Sequence, residues 1–71
     1  MHLTELLPGE FANIMEINGG SHLVQQLALR GLCPGKRVTM ISGRCGPIVV
    51  KIHGESLVLG RGMAHKILVD R

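Results

Sequence analysis

Ile48-Val49-Val50-Lys51-Ile52-His53-Gly54-Glu55-Ser56-Leu57-Val58-Leu59 is the stretch on which the fold turns. Ile48 to His53 alternates with the period of a half-buried strand, and Ser56 to Leu59 resumes it. His53-Gly54 lies between them as a two-residue hairpin turn. A turn of that length fixes the register, with Val50 opposite Leu57 and Val49 opposite Val58. Ile48, Val50, Ile52, Leu57 and Leu59 then share the inner face, while Val49 and Val58 meet on the outer one.

Upstream, Lys36 to Ser42 alternates too. Setting Val38 and Met40 inward brings Ile41 beside Val49. Ile41, Val49 and Val58 then make an outer apolar strip, which Leu68 would extend. Contiguous exposed apolar surface marks interfaces. The plainer reading is that the helix covers this face, or that β-branched residues suit strands.

Nearer the N-terminus, Leu3 to Leu7 is a short apolar opening closed by Pro8-Gly9. Glu10 to Asn18 reads as a strand in which Ala12 and Ile14 share a face. Ile17 breaks that parity, and a bulge near Met15-Glu16 restores it. Phe11 is assigned to the core.

Asn18-Gly19-Gly20 turns the chain. Ser21 to Arg30 follows as a helix with Ser21 as its N-cap. Leu23, Val24, Leu27 and Ala28 fall on one core-facing arc. Leu29 sits instead among His22, Gln25, Gln26 and Arg30, as a second candidate contact unless the Leu3-Leu6-Leu7 segment covers it. Gly31 stops the helix as a left-handed cap, and Pro34-Gly35 turns the chain again. Gly60 to Ala64 is a short turn or one turn of 3₁₀ helix, and Lys66 to Val69 is the closing strand.

The chain is thus mainly β: about five strands with one helix between the first and the second. Its 71 residues and 7.7 kDa make one domain, residues 1–71. A chain this short buries about 60% of its unfolded surface, so the strands do best by curling into a small barrel with the helix over one open end.

A single aromatic, Phe11, argues against a base-stacking surface, and the size argues against an enzyme with its own deep pocket. The net charge is +3, with no run of like charges to serve as a nucleic-acid arm. Lys36, Arg37, Arg44, Lys51, Arg61 and Lys66 are spread over strands and turns. No apolar run is long enough to span a bilayer, and Met1-His2-Leu3-Thr4-Glu5 lacks a signal-peptide start. The expectation is a cytoplasmic protein without direct membrane insertion.

Cys33 and Cys45 are thiols suited to soft metals. They flank the strand Lys36 to Ser42, whose ends stand about 23 Å apart at about 3.3 Å per residue. A disulfide needs Cα atoms within about 7 Å, so neither a shared metal nor a disulfide is expected. His2, His22, His53 and His65 form no HxH or HxxxH pair. Cys33, Cys45 and His22 remain the weak metal candidates. No cofactor is expected, which leaves room for an adventitious or regulatory divalent metal. Ser21, Ser42 and Ser56 have no expected His and acid alongside, and Gly60-Arg61-Gly62 lacks the rest of a phosphate loop. No catalysis is expected.

Four motifs stand in order: Leu7-Pro8-Gly9-Glu10, Gly31-Leu32-Cys33-Pro34-Gly35, Gly46-Pro47 before a Val-rich strand, and Leu59-Gly60-Arg61-Gly62-Met63-Ala64. Together they resemble the FeoA family of small ferrous-iron transport proteins, over about Leu3 to Val69. The resemblance implies an SH3-like β-barrel. It implies a cytosolic accessory that docks on the membrane ferrous-iron transporter with a GTP-binding domain and modulates its assembly or GTPase cycle. The same barrel occurs at the C-terminus of metal-dependent repressors, so the alternative is a small basic barrel binding nucleic acid or serving metal-dependent regulation. No DNA-reading domain is expected to precede it, and no nucleic acid is expected as partner. Arg30 stands where many members carry an apolar residue, leaving open a transporter accessory or a divergent paralogue. Leu29, Arg30, Ile41, Val49, Val58 and Leu68 are the partner-binding candidates, with weak self-association allowed.

Overall fold

The computed structural model describes residues 1–43 and 45–71, so Arg44 of the basic set lies outside the described residues. A 3₁₀ turn over Leu3–Glu5 leads into β1 (Phe11–Ile17), α1 (Ser21–Leu29), β2 (Arg37–Ser42), β3 (Ile48–Ile52), β4 (Glu55–Leu59), α2 (Arg61–Ala64) and β5 (Ile67–Asp70). The strands form one antiparallel sheet in the order β4-β3-β2-β1-β5. It encloses a core of Ala12, Ile14, Val38, Met40, Ile48, Val50, Ile52, Leu59, Ile67 and Val69, with Leu3, Leu6, Leu27 and Leu32 from outside the strands.

Backbone chemistry accounts for the joints. His53 (φ 51°) and Gly54 (φ 82°) are both left-handed, as a type I′ turn requires. Val49 faces Val58 and Val50 faces Leu57, in the expected register. Ile14 pairs with Val69 and Glu16 with Leu68, so Met15 is the extra residue of a bulge. That bulge lets both Ile14 and Ile17 point inward.

The motifs are joints as well. Gly9 has φ 91°, and the N–H of Glu10 donates to the Leu7 carbonyl at 2.9 Å. This is a tight turn with Pro at its second and a left-handed Gly at its third position. The Glu10 carboxylate accepts from the Leu7 N–H at 2.7 Å and pairs with Arg71 at 2.9 Å. At the end of α1, Gly31 N–H donates to the Ala28 carbonyl and Leu32 N–H to that of Leu27. This Schellman pair of bonds needs Gly31 left-handed, at φ 88°, and its hydrophobic contact is supplied by buried Leu27 and Leu32.

Four expectations are corrected here. The N-cap of α1 is Gly20, and Ser21 is the first helical residue. Gly20 carries no side chain to accept from the first turn. Ala28 is exposed: the helix meets the barrel along a narrow line, with Leu27 buried and Leu23 and Val24 half-buried. The turn before β5 is one turn of α-helix, α2, and not of 3₁₀ helix. Phe11 is 54% exposed, because Ala12 and Ile14 occupy the inner face and strand parity turns Phe11 outward.

Candidate functional site

The outer face of the sheet carries the expected strip. Val58 is 60% exposed, Ile41 41%, and Val49 is half-buried beside Val58. α1 does not cover this face: Leu23, Val24 and Leu27 join the core cluster on the inner side. The local geometry differs from a regular ladder. Met40 pairs with Val50 and Ser42 with Val49, so Ile41 is the extra residue of a second bulge. The bulge leaves Ile41 and Ser42 both exposed.

Leu68 does not extend the strip. It lies on β5, beside Glu16 of β1 and bridged to His2, and β1 separates it from β2. A sheet edge is set by long-range pairing, which strand periodicity does not encode.

Leu29 is 85% exposed, so the Leu3-Leu6-Leu7 segment does not cover it. With Arg30, the C-cap of α1, it lines a shallow pocket of about 240 Å³ whose other walls are Gln26, Leu27 and Met63 of α2. α2 is held in turn by Arg61, which donates to the Gly43 carbonyl at the end of β2.

Cys33 is half-buried and Cys45 exposed; both are free thiols. His22 is exposed in the first turn of α1. Among the described residues, no three His, Cys, Asp or Glu stand close enough to hold a metal ion. One histidine pair does form: the His2 and His65 rings stack with centroids 4.1 Å apart and planes at 15°. Ring lone pairs lie in the ring plane, so near-parallel stacked rings direct theirs side by side and do not converge on one ion. The two residues are 63 positions apart, and nothing local in the sequence signals their contact.

A second outer-face feature was missed by the sequence reading. Arg37 and Thr39 of β2, Lys51 of β3 and His53-Gly54 line an open pocket of about 400 Å³. The Arg37 guanidinium carbon lies 4.7 Å from the Phe11 ring centre. Alternation alone puts Arg37 and Thr39 on one face, and placing Ile41 beside Val49 already brings Lys51 near Thr39. Assigning Phe11 to the core hid the platform. No described helix is long and apolar enough to cross a membrane.

The FeoA domain family model matches residues 1–71. A protein of Methanocaldococcus jannaschii named for Fe(2+) transport is 31% identical over 62 residues, covering 87% of this chain and 76% of that one. The crystal structure of an iron uptake regulatory protein, FeoA, superposes with a TM-score of 0.90 at 30% identity, over 97% of this chain and 93% of the other. Stenotrophomonas maltophilia FeoA, solved with zinc and described as a prokaryotic SH3 domain protein, superposes with a TM-score of 0.85 over 99% and 89%. At 22% identity that likeness concerns the fold alone, which is SH3-like.

Proposed function

This chain belongs to the FeoA family, and from that premise we propose that it is a non-catalytic accessory of ferrous-iron uptake. The family is implicated in ferrous-iron transport. In this reading the protein works in the cytoplasm. It docks on the cytosolic part of the membrane ferrous-iron transporter and modulates its assembly or GTPase cycle.

The observation that carries the docking step is the strip of Ile41, Val49 and Val58 on an uncovered sheet face. Leu29 and Arg30 offer a second contact on α1. A standard interface takes about 800 Å² per partner, roughly a fifth of this chain's 4296 Å². Three side chains fall well short of that area. The contact is therefore weak and easily regulated.

The test is an amide-shift NMR titration of the labelled protein with the cytosolic portion of the cognate transporter. Localised shifts at Ile41, Val49 and Val58, or around Leu29, are expected. Ile41→Asp and Val58→Asp should remove the first set and Leu29→Asp the second. Absence of shifts at millimolar partner, with the spectrum otherwise folded, overturns the docking step.

A further inference from the structure

We propose that the pocket formed by Arg37, Thr39, Lys51, His53 and Gly54 is a binding site for a phosphate-type oxyanion. The argument begins with charge. Arg37 and Lys51 stand on adjacent strands and open into one concavity. Among the described residues the only ion pair is Arg71 with Glu10, so no carboxylate within ion-pair distance neutralises either cation. Glu55 pairs with Ile52, whose side chain is buried, and cross-strand partners share a face. Its carboxylate therefore leaves from the side opposite Lys51. Asp70 shares the outer face but lies two strands from Arg37, beyond Asn13. At about 4.8 Å per strand their backbones stand about 10 Å apart, and no ion pair joins them. Uncompensated cations in a concave site raise the local concentration of anions.

The second step is preorganisation. The Arg37 guanidinium carbon stands over the Phe11 ring, 4.7 Å from its centre, in a cation–π contact that holds the side chain in place. Among the described residues no ion pair takes up its N–H groups, and they form the fork that matches two oxygens of a phosphate. Phe11 pairs with Thr39, and Thr39 with Lys51, so the platform, the hydroxyl and the ammonium form one row across β1, β2 and β3.

The third step is the range of donors. A guanidinium, an ammonium, a hydroxyl and an imidazole approach from two strands and a turn. That spread suits an anion with oxygens in several directions better than a planar carboxylate. His53 holds the left-handed backbone that the two-residue turn requires, a conformation in which His is enriched among residues other than glycine. Gly54 beside it adds no side chain.

The test is an amide-shift titration with inorganic phosphate, against sodium chloride and sodium acetate at matched ionic strength. Saturable shifts confined to residues 37, 39 and 51–54 are expected. Arg37→Ala should weaken binding about tenfold, as loss of a charged hydrogen bond does. Lys51→Gln provides an independent variant should Arg37→Ala perturb the fold, and it should weaken binding severalfold. A nucleoside triphosphate and phosphatidylglycerol vesicles then compete separately with phosphate. Displacement by the nucleotide assigns the site to a soluble phosphate, and displacement by vesicles to a lipid headgroup. Shifts that do not saturate, that spread equally over Lys36, Arg61 and Lys66, or that acetate or chloride reproduces overturn the proposal.

Discussion

The Arg37 guanidinium stands over Phe11, with 4.7 Å between the guanidinium carbon and the ring centre. The contact joins the first residue of β2 to the first residue of β1, on the diagonal two residues off the Phe11–Thr39 pair. It gives the one aromatic residue of the chain a role outside the core. An exposed cation–π pair contributes about 0.5–1 kcal/mol. Phe11→Ala should therefore lower unfolding stability by about that amount in urea denaturation. It should also weaken phosphate binding severalfold while leaving every charge in place. A loss of several kcal/mol would show Phe11 to be a core residue after all.

Gly31 is held at φ 88°, and a Cβ there would stand 3.2 Å from Cγ2 of Ile52. Both facts oppose any other residue. A left-handed backbone costs a non-glycine residue about 1–3 kcal/mol. Gly31→Ala should lose about that much stability in urea denaturation, with an unchanged m-value. Gly9→Ala has the same backbone strain but nothing within 4 Å of its Cβ. It should cost less, and the difference between the two variants isolates the contact with Ile52.

Glu10 serves two partners at once, the Leu7 N–H at 2.7 Å and Arg71 at 2.9 Å. Arg71 is mostly exposed, so the ion pair should contribute about 0–1 kcal/mol. The bond to Leu7 closes the turn that enters β1. Glu10→Ala should therefore cost more than Arg71→Ala. A double-mutant cycle followed by thermal or urea unfolding should give a coupling of at most about 1 kcal/mol between the two. A larger coupling would mean that Arg71 anchors the C-terminus.

Much of the fold was legible because its joints are local. Period-2 alternation and the His53-Gly54 turn gave the β3–β4 register, since a one-residue slip would turn every apolar side chain outward. The parity break at Ile17 located the Met15 bulge. Gly31 after a helical run marked the Schellman stop. For Phe11, parity and hydrophobicity disagreed, and parity prevailed because a strand cannot rotate one residue alone.

The candidate surfaces were legible in part. Ile41, Val49, Val58 and Leu29 follow from facing alone. The Ile41 bulge does not, because only the β2–β3 pairing shows two residues opposite one.

The sequence by itself determined the order of elements, the hairpin, the turn glycines and the apolar face of each strand. These depend on φ/ψ limits and on periodicities that a few neighbouring residues impose. The tertiary structure alone decided that Leu68 stands beyond β1 from the strip and that His2 stacks on His65. It also brought Glu10 to Arg71. Those outcomes depend on which distant segments share the single small core. That choice is set by collective burial across the whole chain, and no local pattern carries it.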